Sequence, residues 1–299
     1  MPSNVPGPRV GQVQRVLKSS DGTEIFARAT GRSDNPSLVF VHGLAFSGMV
    51  WDELFKDETL LRQFYLVSYD MRGHGRSGKP KREEDHASTL YADDFAAVVK
   101  AFNLKSPILI GWSLGGTVAC DVCAHLPNTI SGIVYVAGLP YIGPVMNTIA
   151  TPKILGMLPG FFSTDDVVYS ATTKIEFIDI NFKDPNSVLV SVKWAWLGAT
   201  VMQGPADSQL VLSRAQDPEK LHQAGLAGLP LLLINASADK LIQGDVVEKT
   251  VKPYFKDLEV HTVEGGSHVM FYEDQEEFVQ VLMRFAKRVY RKKLPGSKL

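Results

Sequence analysis

The amino-acid sequence predicts an α/β fold, a mainly parallel sheet covered by helices on both faces with a helical block inserted before its last strands. Three observations predict it. Short apolar runs alternate with amphipathic helical patterns along most of the chain, as expected of a parallel sheet buried on both sides. One run, Pro107-Ile108-Leu109-Ile110-Gly111, passes through Trp112-Ser113-Leu114-Gly115 into an apolar, small-residue helix with no loop between. From Tyr141 to about Gln223 the strand pattern stops, and Pro and Gly breaks separate large apolar residues instead.

The elements follow in order. Val13 to Leu17 and Ile25 to Ala29 read as an antiparallel pair joined at Asp21-Gly22. After the break at Asn35-Pro36, Leu38 to Val41 is a buried strand that stops at His42-Gly43-Leu44, and the next loop runs into a helix near Trp51 to Leu54. Tyr65 to Tyr69 is a strand ending in Asp70-Met71-Arg72-Gly73-His74-Gly75-Arg76-Ser77-Gly78. Gly73-x-Gly75-x-x-Gly78 imitates a dinucleotide fingerprint, but a charged stretch from Lys79 to Asp85 follows where a helix must open on the pyrophosphate, so a structural turn is expected.

Ser88 is expected to cap a helix to about Phe102, with Phe95, Val98, Val99 and Phe102 on its buried face. Beyond the serine hairpin, Ile130 to Val136 is a strand closing at Gly138-Leu139-Pro140. Residues 141–223 then read as a helical cap over a core made of 1–140 and 224–299, with Trp194, Trp196 and Met202 as candidate pocket residues. The strand pattern resumes at Leu229-Pro230-Leu231 and runs to Asn235, followed by Ala236-Ser237-Ala238-Asp239. A helix near Val246 to Tyr254 leads to an alternating strand, Leu258 to Val263, that ends at Glu264-Gly265-Gly266-Ser267-His268. An amphipathic helix from about Glu276 to Tyr290 closes the order, with Phe278, Val281, Leu282 and Phe285 as its core face.

Composition excludes several classes. With 299 residues, 45% hydrophobic and 21% charged, the chain suits one large core plus a cap. A net charge of −1 leaves no electrostatic footprint for nucleic acid or an anionic membrane. No run approaches the roughly 18 apolar residues of a membrane span. The start, Met1-Pro2-Ser3-Asn4-Val5-Pro6-Gly7-Pro8, has no apolar core of a signal peptide, so an intracellular protein is expected. Cys120 and Cys123 lie two turns into the helix after the serine, among Val118, Ala119 and Val122, and read as small buried hydrophobes rather than a redox pair. His, Cys and carboxylate residues nowhere fall at metal-ligand spacing, and no cofactor is expected.

The chemistry gathers at strand ends. A strand-to-helix turn this tight strains its tip residue, leaves no room for a Cβ at Gly111 or Gly115, and pushes the Ser113 hydroxyl into the open. The Leu114 N–H, at the positive end of the new helix, then points at whatever the hydroxyl attacks. A serine is a poor nucleophile unless an imidazole takes its proton and a carboxylate orients that ring. Asp239 and His268 each follow a strand run, in the order Ser, acid, His. Asp245 is the rival acid, farther from its strand. Of the seven histidines, His42 and His74 sit in turns, His86 in a charged loop, His125 near a helix end, His222 in the cap region and His261 within a strand.

On these residues the chain resembles the α/β-hydrolase superfamily over nearly its whole length. His42-Gly43-Leu44 is similar to that family's oxyanion loop, Asp70-x-Arg72-Gly73-x-Gly75-x-Ser77 to its turn after the fourth strand, and Gly111-Trp112-Ser113-Leu114-Gly115 to its nucleophile elbow. The resemblance implies the α/β-hydrolase fold: an eight-stranded, mostly parallel sheet with strand two antiparallel and a cap after the sixth strand. It implies a catalytic triad of Ser113, Asp239 and His268 and an oxyanion hole from the N–H groups of Leu44 and Leu114. Epoxide hydrolases and haloalkane dehalogenases of this fold carry aspartate at the elbow, so Ser113 points to acyl transfer through an acyl-enzyme on an apolar ester, lactone or thioester. Perhydrolases, C–C hydrolases and acyl-CoA thioesterases of the same fold, and ligand receptors that do not turn over, remain open alternatives at this point.

The sequence closes on Ser297-Lys298-Leu299, a tripeptide that an import receptor reads as a peroxisomal address. Peroxisomal location is the expectation for a eukaryotic host, and cytoplasmic location otherwise. Because peroxisomes handle acyl-CoA and lipid intermediates, a fatty-acyl or polyketide-like ester or thioester joins the expected substrates. Size and ending are similar to those of capped α/β-hydrolases that some fungal toxin pathways place there.

Overall fold

The computed structural model describes residues 11–293. Among them the apolar runs form one sheet of eight strands: β1 (Val13–Lys18), β2 (Glu24–Thr30), β3 (Ser37–Val41), β4 (Tyr65–Tyr69), β5 (Ile108–Trp112), β6 (Gly132–Val136), β7 (Leu231–Ala236) and β8 (Leu258–Val263). The spatial order is β1-β2-β4-β3-β5-β6-β7-β8. β2 runs antiparallel to both β1 and β4, and the other neighbouring pairs are parallel. Every residue of β3 to β7 is buried, as helices on both faces require. The edge differs: β1 keeps Gln14, Arg15 and Lys18 in solvent, where charge discourages pairing with another chain.

The helices in chain order are α1 (Glu58–Leu61), α2 (Ser88–Ala101), α3 (Val118–His125), α4 (Met146–Ile149), α5 (Pro152–Phe162), α6 (Val167–Ile180), α7 (Val190–Val201), α8 (Pro205–Leu212), α9 (Glu219–Leu226), α10 (Gly244–Val251), α11 (Met270–Glu273) and α12 (Gln275–Lys293). α2 buries Phe95 and Val98, and α12 buries Phe278, Val281, Leu282 and Phe285, each along the stripe its periodicity predicts. α4 to α8 stand between β6 and β7 and roof the end of β5, since Met146, Ile154, Leu158, Phe177 and Leu212 share a cavity wall with Ser113. α9 packs on α3, so the chain has rejoined the layered core before the boundary expected at residue 223.

Two local expectations change. Near Trp51 the chain makes two separate 3-10 turns, Gly48–Trp51 and Leu54–Lys56, instead of one helix, because runs this short close only i→i+3 bonds. Ser88 does not cap α2; Ala87 occupies the cap position, and the Ser88 hydroxyl donates instead to Asp121 Oδ1 on α3 at 2.6 Å. That hydroxyl serves a tertiary contact which the local sequence does not announce.

The turn after β4 is a structural hub. Asp70 accepts from the N–H of Gly48 at 2.7 Å and of Arg76 at 2.8 Å. Gly75 has φ +46°, and a Cβ there would strike the Asp70 carboxylate, so the glycine is demanded by both conformation and space. Arg72 is wholly buried and grips Asp94 with two bonds of 2.8 and 2.6 Å, Asp21 at 3.0 Å and the carbonyls of Asp85 and Leu90. The glycines that imitate a nucleotide loop therefore frame a buried guanidinium.

Candidate active site

The elbow is built as its small residues dictate. Ser113 has φ +52°, a left-handed conformation that costs a non-glycine residue on the order of 1–2 kcal/mol. A Cβ on Gly111 would collide with the Gly116 backbone, and one on Gly115 would collide with the carbonyls of Val41 and His42. Strand, turn and helix can cross this closely only with hydrogen at both positions. Gly43 lies alongside, with its Cβ direction 3.2 Å from Ser113 Cβ, so the loop after β3 abuts the elbow.

Two peptide planes are then oriented. The Ser113 carbonyl accepts from Leu139 N at 2.9 Å, and because the peptide is planar and trans, the Leu114 N–H points the opposite way. His42 Nδ1 donates to the Gly43 carbonyl at 2.8 Å while its Nε2 accepts from Met71 N at 3.0 Å, which assigns the proton to Nδ1. The Leu44 N–H is turned away from that carbonyl in the same manner. Neither the Leu44 nor the Leu114 N–H finds an acceptor among the described residues. The site thus holds two aimed, unspent donors beside a strained serine.

His42 and His74 are fully buried with rings 5.0 Å apart. Burial holds both below the ordinary histidine range, His74 well below it with His42 adding to the depression, while Asp70 offsets part of the shift at His42. In the unfolded chain both take up protons near the ordinary value of about 6.5. The unfolded state therefore binds more protons below that pH, so this contribution to stability is fully present above it and is lost as pH falls through the depressed folded values. Tm is expected to hold steady from about pH 8 to 7 and to fall below about 6.5, and His74→Phe, which also removes the unpartnered Nε2, is expected to flatten that fall. An identical pH slope in the variant would remove His74 as its source.

His268 and Asp239 meet as the sequence order suggests. His268 Nδ1 is 2.8 Å from Asp239 Oδ2, and the two side chains are 1% and 3% exposed. The other carboxylate oxygen accepts from Leu241 N at 2.7 Å and Ile242 N at 3.1 Å, which fixes its plane. The His268 carbonyl accepts from the Trp112 indole at 2.9 Å, and the two rings lie 5.3 Å apart, so the pair is fastened to the residue preceding Ser113. No hydrogen bond joins Ser113 Oγ to His268 Nε2 among the described residues, and contacts of this kind close only when substrate is bound in many enzymes.

The rejected candidates have other occupations. Asp245 pairs with Lys249 at 2.8 Å in solvent. His86 contacts the Tyr91 hydroxyl, His125 contacts Ser88, His222 stacks on Tyr254 and His261 meets Glu277. Cys120 is buried and Cys123 partly so; burial raises both thiols, Cys123 up to about 12, which leaves them protonated and inert at neutral pH. Among the described residues no three His, Cys, Asp or Glu side chains converge to hold a metal, and no helix is long and apolar enough to cross a membrane. Ser297, Lys298 and Leu299 lie outside the described residues.

Ser113 opens into a cavity of about 380 Å³. Leu44, Leu114 and Leu139 form its floor, and Met146, Ile154, Leu158, Phe162 and Phe177 come down from the roof. Asn147 is the only polar side chain on the wall besides Ser113, and no charged one lines it among the described residues. The expected pocket residues are elsewhere. Trp194 on α7 and Met202 just past its end are 68% and 50% exposed, and Trp196 is buried but stacks on Phe182 at 5.2 Å, outside the cavity. α5 supplies the wall instead, and its signal in the sequence was an apolar surface on nearly every side, as befits a helix with core on one face and cavity on another.

A family model described as the Alpha/beta hydrolase family matches residues 38–281. The chain is 37% identical over 133 residues to a non-heme chloroperoxidase of Streptomyces lividans, a match covering 44% of this chain and 45% of that one. It therefore spans less than half the length of that relative. It is 26% identical to a pimeloyl-[acyl-carrier protein] methyl ester esterase of Vibrio atlanticus, over 85% of this chain and 95% of that one. The crystal structure of the esterase RhEst1 from Rhodococcus sp. ECU1013 superposes with a TM-score of 0.82 at 27% identity, covering 92% of this chain and 99% of the other.

Proposed function

Because this chain belongs to the alpha/beta hydrolase family, we propose that it is a serine esterase that cleaves neutral esters of apolar carboxylic acids through an acyl-enzyme on Ser113. The observation that carries this reading is the strained Ser113 opening into an apolar cavity while the Asp239–His268 pair is fastened to Trp112, the residue before it. His268 takes the Ser113 proton as the oxygen attacks the ester carbonyl, and Asp239 steadies the imidazolium that forms. The N–H groups of Leu44 and Leu114 receive the tetrahedral oxyanion. His268 then protonates the departing alcohol, and water repeats the sequence on the acyl-enzyme, releasing the acid and restoring the serine.

The cavity selects the acyl group by polarity and length. A charged acyl chain would lose its hydration against leucine, isoleucine and phenylalanine with no compensating partner. Taking roughly 30 Å³ per heavy atom, the share of a water in the liquid, about 380 Å³ holds on the order of a dozen atoms. With a series of 4-nitrophenyl esters, kcat/KM is expected to climb with acyl length to roughly eight to ten carbons and then decline. Leu158→Trp, which fills the roof side, is expected to move the optimum toward shorter acids by about three carbons or more. A flat profile, or activity confined to charged acids, would count against the assignment.

The test of the chemistry is peptide mapping after a fluorophosphonate probe. One adduct on Ser113, strongly slowed by His268→Ala, is expected. A folded protein that takes no adduct and turns over no ester would speak for a ligand-binding role. Where Ser297-Lys298-Leu299 is the natural end of the chain in a eukaryotic host, the proposal extends to peroxisomal import. A fluorescent fusion that stays cytosolic with the tripeptide intact would rule that out.

A further inference from the structure

The segment that leads out of the roof carries two polar side chains that reach the elbow from behind. Arg214 and Gln216 follow α8, far from Ser113 in sequence, and Arg214 is buried. Arg214 Nη2 donates to Thr117 Oγ1 at 2.5 Å, and that hydroxyl donates onward to the Leu114 carbonyl at 2.7 Å. The guanidinium lies 3.7 Å over the Tyr91 ring and 3.5 Å from Asp121, so its position is determined from three sides. Gln216 Nε2 donates to the Thr117 carbonyl at 2.9 Å and to Asp121 Oδ1 at 2.6 Å. Its Oε1 accepts from Ile142 N at 2.6 Å, at the point where the chain enters the roof and where Ile142 lines the cavity.

One glutamine therefore ties the entrance and the exit of the roof to the helix start beneath the nucleophile, and one arginine continues the tie to Leu114. Leu114 carries one of the two aimed N–H groups; its own carbonyl is held by Thr117, and the carbonyl on the near side of that N–H is held by Leu139. We propose that Arg214 and Gln216 are positioning residues that couple the seating of the roof to the aim of the Leu114 N–H, with Thr117 as the relay. This rests on the esterase reading above. Movement of the roof, as on entry of a long acyl chain, pulls on the relay and shifts the donor, and a donor displaced by a fraction of an ångström loses much of its value for the transition state while ground-state binding hardly changes.

The test uses the full chain, 4-nitrophenyl hexanoate and the rate of Ser113 labelling by a fluorophosphonate. Thr117→Val keeps the shape and removes the relay; kcat and the labelling rate are expected to fall about tenfold with KM within about twofold, and Thr117→Ser to restore both. Gln216→Met, which keeps Arg214 and Thr117 in place, is the second variant and is expected to lower kcat and labelling in the same proportion. Should both variants keep wild-type kcat and labelling well below their Tm, however much Tm drops, the contacts are structural only and the proposal is overturned. Should only one fold, its kcat and labelling decide alone. A wild-type chain that neither labels nor turns over would instead overturn the esterase reading, and this proposal with it.

Discussion

Replacing Ser113 with alanine is expected to lower kcat by about ten-thousand- to a million-fold on any ester the wild type accepts. The attacking oxygen is lost outright, and what remains is the capacity of the Leu44 and Leu114 donors to polarise a bound carbonyl for attack by water. Asp239→Asn is expected to cost on the order of ten-thousand-fold, since an amide cannot balance the imidazolium and offers His268 Nδ1 the wrong partner. Stability separates chemistry from conformation at the same position. Ser113→Ala leaves Tm nearly unchanged, because alanine bears the same Cβ at φ +52°, whereas Ser113→Gly relieves the strain and is expected to gain about 1 kcal/mol. Calorimetry and kinetics on the two variants check both halves. Residual kcat within tenfold of wild type in Ser113→Ala would mean that another residue carries the acyl group.

The largest expected effect on stability is at Arg72, where Arg72→Met should cost about 3–5 kcal/mol. The side chain is fully buried, and its removal strands Asp94, itself buried, without the partner that justified its charge. Burial raises the Asp94 carboxyl against the pull of Arg72, so in the variant Asp94 is expected to take up a proton. The double variant Arg72→Met/Asp94→Leu is expected to recover much of the loss, because it replaces a buried ion pair by apolar packing instead of breaking one. Urea unfolding of the two single variants and the double variant gives the coupling directly. A loss under about 1 kcal/mol in Arg72→Met would show that the turn after β4 is held by Asp70 and its N–H donors without the guanidinium.

Much of the fold was legible because its signals are local. The runs Tyr65–Tyr69 and Leu258–Val263 became strands of those same limits, since a short segment rich in β-branched or aromatic residues and bounded by turn residues has few other uses, although Val260 on the second lies exposed at the sheet's edge. The elbow was legible for the same reason: only glycine fits at 111 and 115 if strand and helix cross so tightly. Expectations failed where a side chain had two possible partners. Ser88 could cap its own helix or reach Asp121, and only the packing of α2 on α3 selects the second. Trp196 could face the Ser113 cavity or pack elsewhere, and it stacks on Phe182 away from that cavity.

The sequence by itself determined the chemistry at the strand ends, namely a serine on a glycine-framed turn with an acid and a histidine after later strands, because each depends on residue type and on its immediate neighbours. Only the tertiary structure decided which acid meets His268, which carbonyls turn the Leu44 and Leu114 N–H groups outward, and which helix walls the cavity. The physical reason is shared. Hydrophobic periodicity reports that a side chain leaves water, yet it carries no record of whether the apolar surface it meets is packed core or an empty pocket awaiting a ligand.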